Sequence, residues 1–504
     1  MIGAAGEMEL VARAVGHGDR VAVVAEQGMS RYTDLLVDSA RAATALLGER
    51  TDLDEARVAY MVEPGYEHVV TLWGAWRAGA MAVPIATDLP DPEIARILED
   101  AAPSVVVADD RHGGRVRQLA AQRGLRLVTT EELRVGRAGP LPAVEGPRAS
   151  MMLFTSGTTG RPKGVVHTHR SVAAQITSLV DAWAWEPDDR ILLVLPLHHL
   201  HGLVNVLGCT LWTGATCEML PGFDPQRTWD RLASGHLSLF MAVPSIYRRL
   251  IDTWEAADEQ RREATSRGAR TLRLMVSGSA PLPVATLERW QEITGHTLLE
   301  RYGMTEIGMA LSNTLEERVP GRVGKPLPGV EVRLVGEDGD DVAEGQPGEI
   351  HVRGPTLFRE YWNRPEATQA AFVDGWFRTG DIALVDDGHY RILGRASVDI
   401  INTGGEKVSA LEVEEVLRRH PAVSDCAVVG VADERWGERV CAAIVLAEGR
   451  DLDDPAALRQ WGKQRLAPSK VPRSILVVDD LPRNAVGKVT KPQVAGLFDQ
   501  AAED

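Results

Sequence analysis

Short apolar segments alternate with longer segments of helical periodicity over most of the chain. The apolar segments at residues 105–108, 191–195 and 272–276 have the length of buried strands, and helical patterns separate them. Strands that alternate with helices are typical of a parallel sheet whose strands are connected by helices on its faces. The pattern therefore predicts an α/β fold built from several sheet and helix subdomains.

The chain after residue 394 has a different pattern. This part has predicted helices at 409–420 and 454–466 and predicted strands at 427–433, 442–449 and 474–480. Together these elements form a unit of about 110 residues, which is an ordinary size for a domain. We place the boundary near Asp399, with a large N-terminal domain at residues 1–398 and a small α+β C-terminal domain at 399–504.

Composition and charge narrow the class of protein. The 504 residues exceed what one hydrophobic core usually holds, and 44% of them are hydrophobic while 25% are charged, which is typical of a folded multidomain protein. A formal net charge of −16 argues against general binding to nucleic acid or to an anionic membrane, since both need a basic surface. The four cysteines are not spaced as metal ligands, so we expect buried, reduced thiols.

The same features predict a cytoplasmic protein that acts on small molecules. No apolar segment approaches the roughly 18 residues that a membrane-spanning helix needs. The first 20 residues carry acidic side chains where a signal peptide has positive charge. We expect a monomer or a dimer.

A segment rich in Gly, Ser and Thr is the most informative part of the chain. It contains, in order, Thr155, Ser156, Gly157, Thr158, Thr159, Gly160 and Lys163. Glycines let backbone N–H groups turn toward an anion, and the hydroxyls and the lysine add donors and charge, so a polyphosphate suits the loop. The Walker pattern GxxxxGK(S/T) is not satisfied here or at 487–489, and a flexible surface loop is the alternative interpretation.

This segment resembles the signature loop of the acyl-adenylate-forming superfamily, which comprises acyl-CoA synthetases, firefly luciferase and the adenylation domains of peptide synthetases. Five further segments up to residue 488 match that family in order, so the resemblance covers about two thirds of the chain. It implies an enzyme that uses ATP, Mg²⁺ and coenzyme A (CoA), with a C-terminal domain that moves. The loop, with Thr155 as a catalytic member, would bind the β- and γ-phosphates of ATP.

The resemblance assigns the adenine and phosphate contacts to two segments. The first would frame the adenine and consists of Ser277, Gly278, Ser279, Ala280 and Pro281. In the second, Tyr302 to Glu306, the tyrosine would stack on adenine and Thr305 would bind the α-phosphate. Glu306 would bind Mg²⁺, which prefers oxygen ligands and usually keeps several waters. The alternatives are a strand-ending turn and a solvated carboxylate.

Three further assignments concern the ribose, the hinge and CoA. Asp381 would accept hydrogen bonds from both ribose hydroxyls, with Arg395 near the ribose and the phosphates. Asp399 matches the family's hinge counted back from the following glycines, although its spacing from Gly394 is one residue longer than is common. The residues expected to face the pantetheine tunnel are Gly404, Gly405 and Lys407.

Lys488 matches the catalytic lysine of the family, which would bridge the substrate carboxylate and the α-phosphate. A carboxylate that attacks ATP brings anions together, and a positioned cation stabilises the charge that builds in the transition state. The alternative is a solvated C-terminal lysine. The Pro-x4-Gly-Lys spacing also resembles the target of a lysine acetyltransferase, which would remove the positive charge.

The predicted acyl pocket contains three histidines within residues 195–203. If this segment is extended, His198 and His199 point to opposite faces and only His199 and His201 share a face, which does not favour a metal site. By resemblance, His199 is the catalytic gating residue beside the reacting carboxylate. We assign His201 to the substrate pocket.

A second unusual charge, Arg249, lies on the predicted helix after Pro244. With Arg301, Met304 and Met309, it resembles the acyl pocket of malonyl-CoA synthetases. A guanidinium binds a carboxylate with two hydrogen bonds, so Arg249 would bind the far end of a dicarboxylate. A monocarboxylate would leave Arg249 buried and unpaired, at a cost of roughly 3 to 5 kcal/mol. The alternative is a solvated helix arginine.

The resemblance leaves several functions open. The first expectation is a synthetase for malonate and for methylmalonate, since one methyl group gives only about 1 to 3 kcal/mol of discrimination. The rivals are a synthetase for another short-chain or aryl monocarboxylic acid, a peptide-synthetase-like adenylation module, and a catalytically inactive nucleotide-binding protein.

Overall fold

The structure is a computed structural model that describes residues 8–155, 162–433, 435–450, 455–483 and 489–500. The helices of its large domain are α1 (Glu9–His17), α2 (Tyr32–Leu47), α3 (Tyr66–Arg77), α4 (Asp91–Ala101), α5 (Asp110–Ala121), α6 (Thr130–Arg134), α7 (His169–Ala182), a π-helix (His201–Gly208), α8 (Cys209–Thr213), α9 (Pro225–Leu232), α10 (Pro244–Glu255), α11 (Glu259–Ala269), α12 (Val284–Thr294) and α13 (Pro365–Ala370).

The strands of the large domain are β1 (Val21–Ala25), β2 (Gly28–Arg31), β3 (Arg57–Met61), β4 (Met81–Pro84), β5 (Val105–Ala108), β6 (Arg126–Thr129), β7 (Ala149–Thr155), β8 (Lys163–Thr168), β9 (Arg190–Leu193), β10 (Thr216–Met219), β11 (Leu239–Ala242), β12 (Leu274–Ser277), β13 (Leu299–Met304), β14 (Gly308–Ser312), β15 (Lys325–Pro326), β16 (Glu331–Val335), β17 (Gly348–Arg353), β18 (Glu360–Tyr361), β19 (Phe372–Val373), β20 (Trp376–Asp386) and β21 (His389–Arg395).

The small domain contains β22 (Ile400–Thr403), β23 (Glu406–Ser409), α14 (Ala410–Arg418), β24 (Val423–Asp433), β25 (Gly437–Leu446), α15 (Pro455–Lys463), a 3₁₀-helix (Pro468–Lys470), β26 (Ser474–Val477) and α16 (Lys491–Gln500).

The described residues of the large domain form three sheets. The first has the strand order β15-β14-β13-β12-β11-β9-β10-β1-β2, and the second has the order β18-β8-β7-β4-β3-β5-β6. The third is antiparallel, with the order β16-β17-β20-β19 and with β21 paired to β20. The predicted α/β class is confirmed. The apolar segment at 105–108 is β5, a parallel strand of four buried residues, as expected for a sheet covered on both faces.

The parallel strands of the first sheet create an edge suited to ligand binding. Strands β9, β11, β12 and β13 run in the same direction, so their carboxyl ends lie along one edge of the sheet. Ligands of open α/β sheets bind at this edge, in the loops that follow the strands. The segments predicted to frame the adenine and the acyl group follow these strands in sequence.

The small domain has hydrophobic cores of its own. One lies under α14 and includes Ile401, Val413 and Leu417, and a second lies under α16 and includes Val494 and Phe498. The predicted boundary at residue 399 falls in the turn between β21 and β22. The predicted small α+β domain is confirmed, although β22, β23 and α16 were not foreseen.

Polar contacts join the two domains. The Val284 N–H at the start of α12 donates to Glu415 Oε2 on α14 over 3.4 Å, and Lys407 pairs with Glu337. An interface of this polar kind allows two domains to move relative to each other.

Glu300 on β13 is a buried carboxyl group within electrostatic range of Glu415. Its Oε1 accepts the Gly321 N–H at 2.8 Å. Burial raises the pKa of Glu300 to about 8, the Gly321 N–H opposes that rise, and the charge of Glu415 adds to it. The Glu300 carboxyl group is therefore mostly protonated at neutral pH.

The variant Glu300→Gln should make folding less sensitive to pH. Because the folded pKa of about 8 lies above the ordinary value of 4.5, the wild type loses stability as pH rises through this range, whereas an amide has no proton to lose. We therefore compare the free energies of unfolding of the two proteins at two pH values. When the pH rises from about 5 to about 8.5, the value for the variant minus the value for the wild type should increase by roughly 1 to 4 kcal/mol. Urea unfolding at both pH values measures the difference, and parallel pH responses would contradict it.

The burial of the cysteines and the length of the helices bear on two expectations from the sequence. All four cysteines are buried, as predicted. Among the residues that the structure describes, no helix is long and apolar enough to span a lipid bilayer.

Candidate active site

The register between β12 and β13 places an arginine at the floor of the candidate site. Ser277 is paired with Glu300, so the next residues, Gly278 and Arg301, also lie side by side. A Cβ atom on Gly278 would lie 2.5 Å from Cζ and 2.6 Å from Nε of Arg301. Gly278 is therefore the residue that makes room for the guanidinium.

Arg301 is a buried cation without an anionic partner among the described residues. Arg301 is the third residue of β13 and is only 3% exposed. Nη2 donates to Ser279 Oγ at 3.3 Å, whereas Nε and Nη1 have no hydrogen-bond partner within the described ranges. Burial lowers the pKa of Arg301 to about 10, so the side chain stays charged at neutral pH. Because an unpaired buried charge is costly, this guanidinium is suited to an anionic ligand.

His201 lies beside this arginine at the first position of the π-helix. Ser279 Oγ is 3.3 Å from Nδ1 of His201, and Nε2 is buried with no partner among the described residues. Burial, and next the charge of Arg301, hold the pKa of His201 well below its usual value. The imidazole is therefore neutral and available as a hydrogen-bonding group, with Ser279, on an exposed turn, between it and Arg301.

The histidine segment differs from the extended conformation that we expected. Residues 197–199 form a turn that leads into the π-helix, and the rings of His198 and His199 are 4.2 Å apart. The prediction that these two rings point to opposite faces is therefore wrong, because a turn does not alternate its side chains as a strand does. Within the described residues, no group of three His, Cys, Asp or Glu side chains is arranged to hold a metal ion.

His199 is half-buried, and its Nε2 atom has no partner within the described residues. Burial lowers the pKa of His199, and the charge of Asp88 opposes that change. The structure thus provides a neutral imidazole at the position that the resemblance assigns to a gate.

Arg249 lies on the outer face of α10. It is exposed, and its guanidinium is 4.8 Å from the ring centroid of Phe223. The buried face of α10 uses Ile246, Tyr247 and Leu250, so helical periodicity places residue 249 outside. The expectation of a buried, unpaired guanidinium is therefore wrong for Arg249, and Arg301 meets it instead.

A network of hydrogen bonds connects the residues predicted to hold the adenine and the ribose. Tyr302 donates its hydroxyl to Asp381 Oδ2 at 2.6 Å, and Arg395 Nε donates to Asp381 Oδ1 at 2.9 Å. Arg395 Nη2 also donates to the backbone oxygen of Thr379 at 3.0 Å. Burial, and next the charge of Asp381, raise the pKa of Tyr302 well above its usual value, so the hydroxyl remains a donor. The Asp381 carboxylate is held in one orientation.

Glu306 is a buried carboxylate at the other side of this network. Its Oε1 accepts the hydroxyl of Tyr361 at 2.9 Å, and Lys163 Nζ lies 4.8 Å from the centroid of the Tyr361 ring. Burial raises the pKa of Glu306, while the Tyr361 hydrogen bond and the charges of Arg395 and Lys163 oppose that rise. The preceding Thr305 has its backbone oxygen 2.8 Å from His167 Nε2, which fixes the turn.

Close backbone packing shapes the strand pair that carries Met304 and Met309. A Cβ atom on Gly303 would lie 2.1 Å from the Gly308 backbone oxygen, so β13 and β14 approach closely only because residue 303 is glycine. Met309 is buried on β14 and Met304 is half-buried at the end of β13.

The remaining predicted residues fall into two groups. Thr155 ends β7, whereas Ser156, Gly157, Thr158, Thr159 and Lys488 lie outside the described residues. In the adenine segment, Ala280 is half-buried and Pro281 is exposed on the turn after β12.

At the domain junction, Asp399 Oδ2 accepts the Arg395 N–H at 3.0 Å. Gly404 and Gly405 have φ angles of 59° and 84°, in the left-handed region that favours glycine, and the Gly404 N–H donates to the Trp436 backbone oxygen. Lys407 is exposed and pairs with Glu337.

Sequence reasoning gave no role of its own to Arg301, Tyr361 or Thr379. A signal existed for Arg301, because it directly precedes the segment from Tyr302 to Glu306 that the resemblance assigns to the nucleotide. Tyr361 had no signal, since its partner Glu306 is distant in sequence. Thr379 is two residues before the predicted Asp381, whose N–H donates to its hydroxyl, and that position was the signal that could have found it.

The chain is similar to known proteins over almost its whole length. Family models described as AMP-binding enzyme and AMP-binding enzyme C-terminal domain match residues 10–362 and 412–488. The chain is 44% identical to the mitochondrial malonate–CoA ligase of Mus musculus, over 97% of this chain and 90% of that protein. It is 38% identical to the malonate–CoA ligase of Arabidopsis thaliana, over 94% and 86%. The crystal structure of ATP-bound MatB from Rhodopseudomonas palustris superposes with a TM-score of 0.90 at 33% identity, covering 98% of this chain and 99% of that one.

Proposed function

The chain belongs to the AMP-binding enzyme family, and from that membership we propose that it is a ligase that joins malonate to CoA with ATP as the energy source. It forms malonyl adenylate and pyrophosphate first, and then malonyl-CoA and AMP. Methylmalonate is proposed as a second substrate, because one additional methyl group changes binding by only about 1 to 3 kcal/mol.

The observation that carries the choice of acid is the buried charge of Arg301. Malonate has a second carboxylate, which can accept two parallel hydrogen bonds from one edge of this guanidinium, formed by Nη2 with either Nε or Nη1, the two nitrogens that have no partner among the described residues. Ser279 and the neutral His201 supply further polar atoms beside it. Acetate or butyrate has no group for this place and would leave the cation unpaired, so the pocket favours a dicarboxylate.

The nucleotide is proposed to bind along the carboxyl ends of the neighbouring strands. Asp381, held by Tyr302 and Arg395, would accept the ribose hydroxyls, because a fixed carboxylate binds two adjacent hydroxyls well. The loop that begins at Thr155 and includes Lys163 would bind the phosphates.

Mg²⁺ fits the chemistry of Glu306. A buried carboxylate whose pKa is raised by burial gains from a cation that stabilises its charged form, and Mg²⁺ often needs only one carboxylate besides phosphate oxygens and water. When bound, the ion would reduce the negative charge of the phosphates. Tyr361 would keep Glu306 oriented through its hydrogen bond.

The proposed reaction has two steps, adenylation of the acid and transfer of the acyl group to CoA. An oxygen of the reacting carboxylate attacks the α-phosphorus, the bond to the bridging oxygen breaks, and pyrophosphate leaves with the electron pair. The CoA sulfur, having lost its proton, then attacks the carbonyl carbon, and the bond from that carbon to the AMP oxygen breaks. His199 would stand beside the reacting carboxylate, Lys488 would assist the first step, and Gly404, Gly405 and Lys407 would guide the thiol in the second.

The experiment that tests this proposal is an AMP-release assay with purified protein, ATP, Mg²⁺ and each of four acids, with and without CoA. We expect the highest kcat/KM with malonate or methylmalonate and at least 100-fold lower values with acetate and octanoate. If a monocarboxylate exceeds malonate, the proposed substrate is wrong. If no acid gives AMP, the protein is not an acyl-CoA ligase and the inactive nucleotide-binding alternative stands.

The other expectations remain predictions. They are the cytoplasmic location, a monomeric or dimeric state, and acetylation of Lys488 by a lysine acetyltransferase.

A further inference from the structure

Lys491 is a buried cation shared by two carboxylates. It is the first residue of α16, only 8% exposed, and its Nζ lies 2.7 Å from Asp399 Oδ1 and 2.8 Å from Glu414 Oε1. Burial alone would lower the pKa of Lys491, but the two carboxylates outweigh it and raise the pKa, so the ammonium group stays charged. The ion pairs connect the last helix of the small domain to the residue where that domain begins.

Asp399 also faces the large domain. Its second carboxylate oxygen accepts the Arg395 N–H at 3.0 Å, and the Arg395 side chain is bound to Asp381 in the nucleotide site. A Cβ atom on Gly394 would lie 2.3 Å from the Asp399 Cβ, so glycine at 394 is required for this close approach. The Asp399 carboxylate is therefore held between a backbone amide of the large domain and a cation of the small domain.

The turn beside Asp399 is the natural pivot between the two domains. The Ala396 N–H donates to the Gly380 backbone oxygen at 2.9 Å, which binds residue 396 to the large domain. The Ala410 N–H donates to the Asp399 backbone oxygen at 2.8 Å, which binds residue 399 to the small domain. The Asp399 N–H also donates to the Arg395 backbone oxygen at 2.8 Å, so residue 399 is hydrogen-bonded to both domains and residues 396–399 are the segment where the two domains meet.

We propose that Lys491 is a positioning residue that fastens Asp399 to the small domain, so that this domain turns about residues 396–399 as one rigid body. This inference rests on the proposed function, because two half-reactions with different leaving groups and nucleophiles require two positions of the small domain. Without Lys491, Asp399 would swing with the turn, and the small domain would reach neither position accurately.

The effect of losing Lys491 passes through Asp399 rather than Glu414. Glu414 keeps two other partners, since Oε1 accepts the Val428 N–H at 2.9 Å and Oε2 pairs with Arg418 at 3.2 Å. Among the residues that the structure describes, the Asp399 side chain would keep only the backbone amide of Arg395 and lose its cation. The matched change at Asp399 should therefore reproduce the change at Lys491, whereas a change at Glu414 should not.

The test compares Lys491→Met, Asp399→Asn, Glu414→Gln and, as a control, Lys470→Met. Lys470 forms an ion pair of 2.8 Å with Glu412 in the same domain, and this pair does not involve Asp399 or Lys491. For Lys491→Met and Asp399→Asn we expect at least a 10-fold loss of kcat for malonyl-CoA formation, a change of KM for malonate of less than threefold, and release of free malonyl adenylate. Lys491→Arg should restore most of kcat, and Lys470→Met should stay within twofold of the wild type.

A second measurement does not depend on activity. Hydrogen exchange of the segment that contains the Arg395 amide should be at least 10-fold faster in Lys491→Met and Asp399→Asn, but not in Glu414→Gln or Lys470→Met. Equal losses of kcat in Glu414→Gln, or unchanged exchange in Lys491→Met, would overturn the proposal. If the wild type forms no malonyl-CoA, the proposed function fails, and the exchange pattern still decides whether Lys491 holds the junction.

Discussion

Replacing Arg301 by methionine should lower kcat/KM for malonate by about 10²- to 10⁴-fold. Methionine has a similar length, so the variant removes the charge without opening a large cavity beside Gly278. The distal carboxylate would then be buried without a cation, at a cost of roughly 3 to 5 kcal/mol. The kcat/KM for butyrate should rise or stay constant in the same variant, because the apolar end no longer meets an unpaired guanidinium. Initial rates of AMP release over a range of acid concentrations measure both values.

The control for this prediction is the exposed arginine. Arg249→Met should reduce kcat/KM for malonate less than Arg301→Met, because a partly solvated cation contributes less than a buried one. Arg301→Lys should keep part of the activity, since an ammonium retains the charge but loses the two parallel hydrogen bonds of the guanidinium. A malonate preference that survives in Arg301→Met would assign the distal carboxylate to another residue.

The variant Lys488→Ala should slow adenylation by about 10²- to 10³-fold while leaving thioester formation almost intact. In the first step the negative carboxylate approaches the negative α-phosphate, and a positioned cation there contributes on the order of 3 to 4 kcal/mol, or about 10²- to 10³-fold in rate. In the second step a thiol attacks an adenylate that already exists, and this cation is no longer between two anions. Malonate-dependent exchange of pyrophosphate into ATP measures the first step, and malonyl-CoA formation from preformed malonyl adenylate measures the second.

Lys470→Met serves as the control here too, since it removes one lysine from the same domain without affecting the chemistry. Equal loss of both steps in Lys488→Ala would mean that the lysine supports the domain as a whole. Enzymatic acetylation of the wild type should reproduce the alanine variant if Lys488 is the acetylated residue.

The sequence was sufficient where structure is local. The strand at 105–108 and the helix at 409–420 were predicted because their periodicity lies within one segment, and the structure has them as β5 and α14. The shape of the histidine segment was not predicted, because a turn followed by a π-helix has no periodicity that distinguishes it from a strand.

Long-range register explains what the sequence could not show. Arg301 and Gly278 are adjacent only because β12 and β13 pair in one register, and neither residue carries a local signal for that contact. The ion pair of Lys491 with Asp399 joins two residues that are near opposite ends of the small domain in sequence. The position of Arg249 depends on the helical periodicity of α10. The next residue, Leu250, lies on the buried face, whereas Arg249 faces the solvent.

Gly278 also constrains the order in which this pocket can acquire a new specificity. Any larger residue at 278 would overlap the guanidinium of Arg301, so that change alone is harmful. Once Arg301 has become small and apolar, the same change fills empty space and can improve binding of a neutral acid. The two substitutions thus show sign epistasis. A series of single mutations that changes the preference from diacids to monoacids is open only when position 301 changes first.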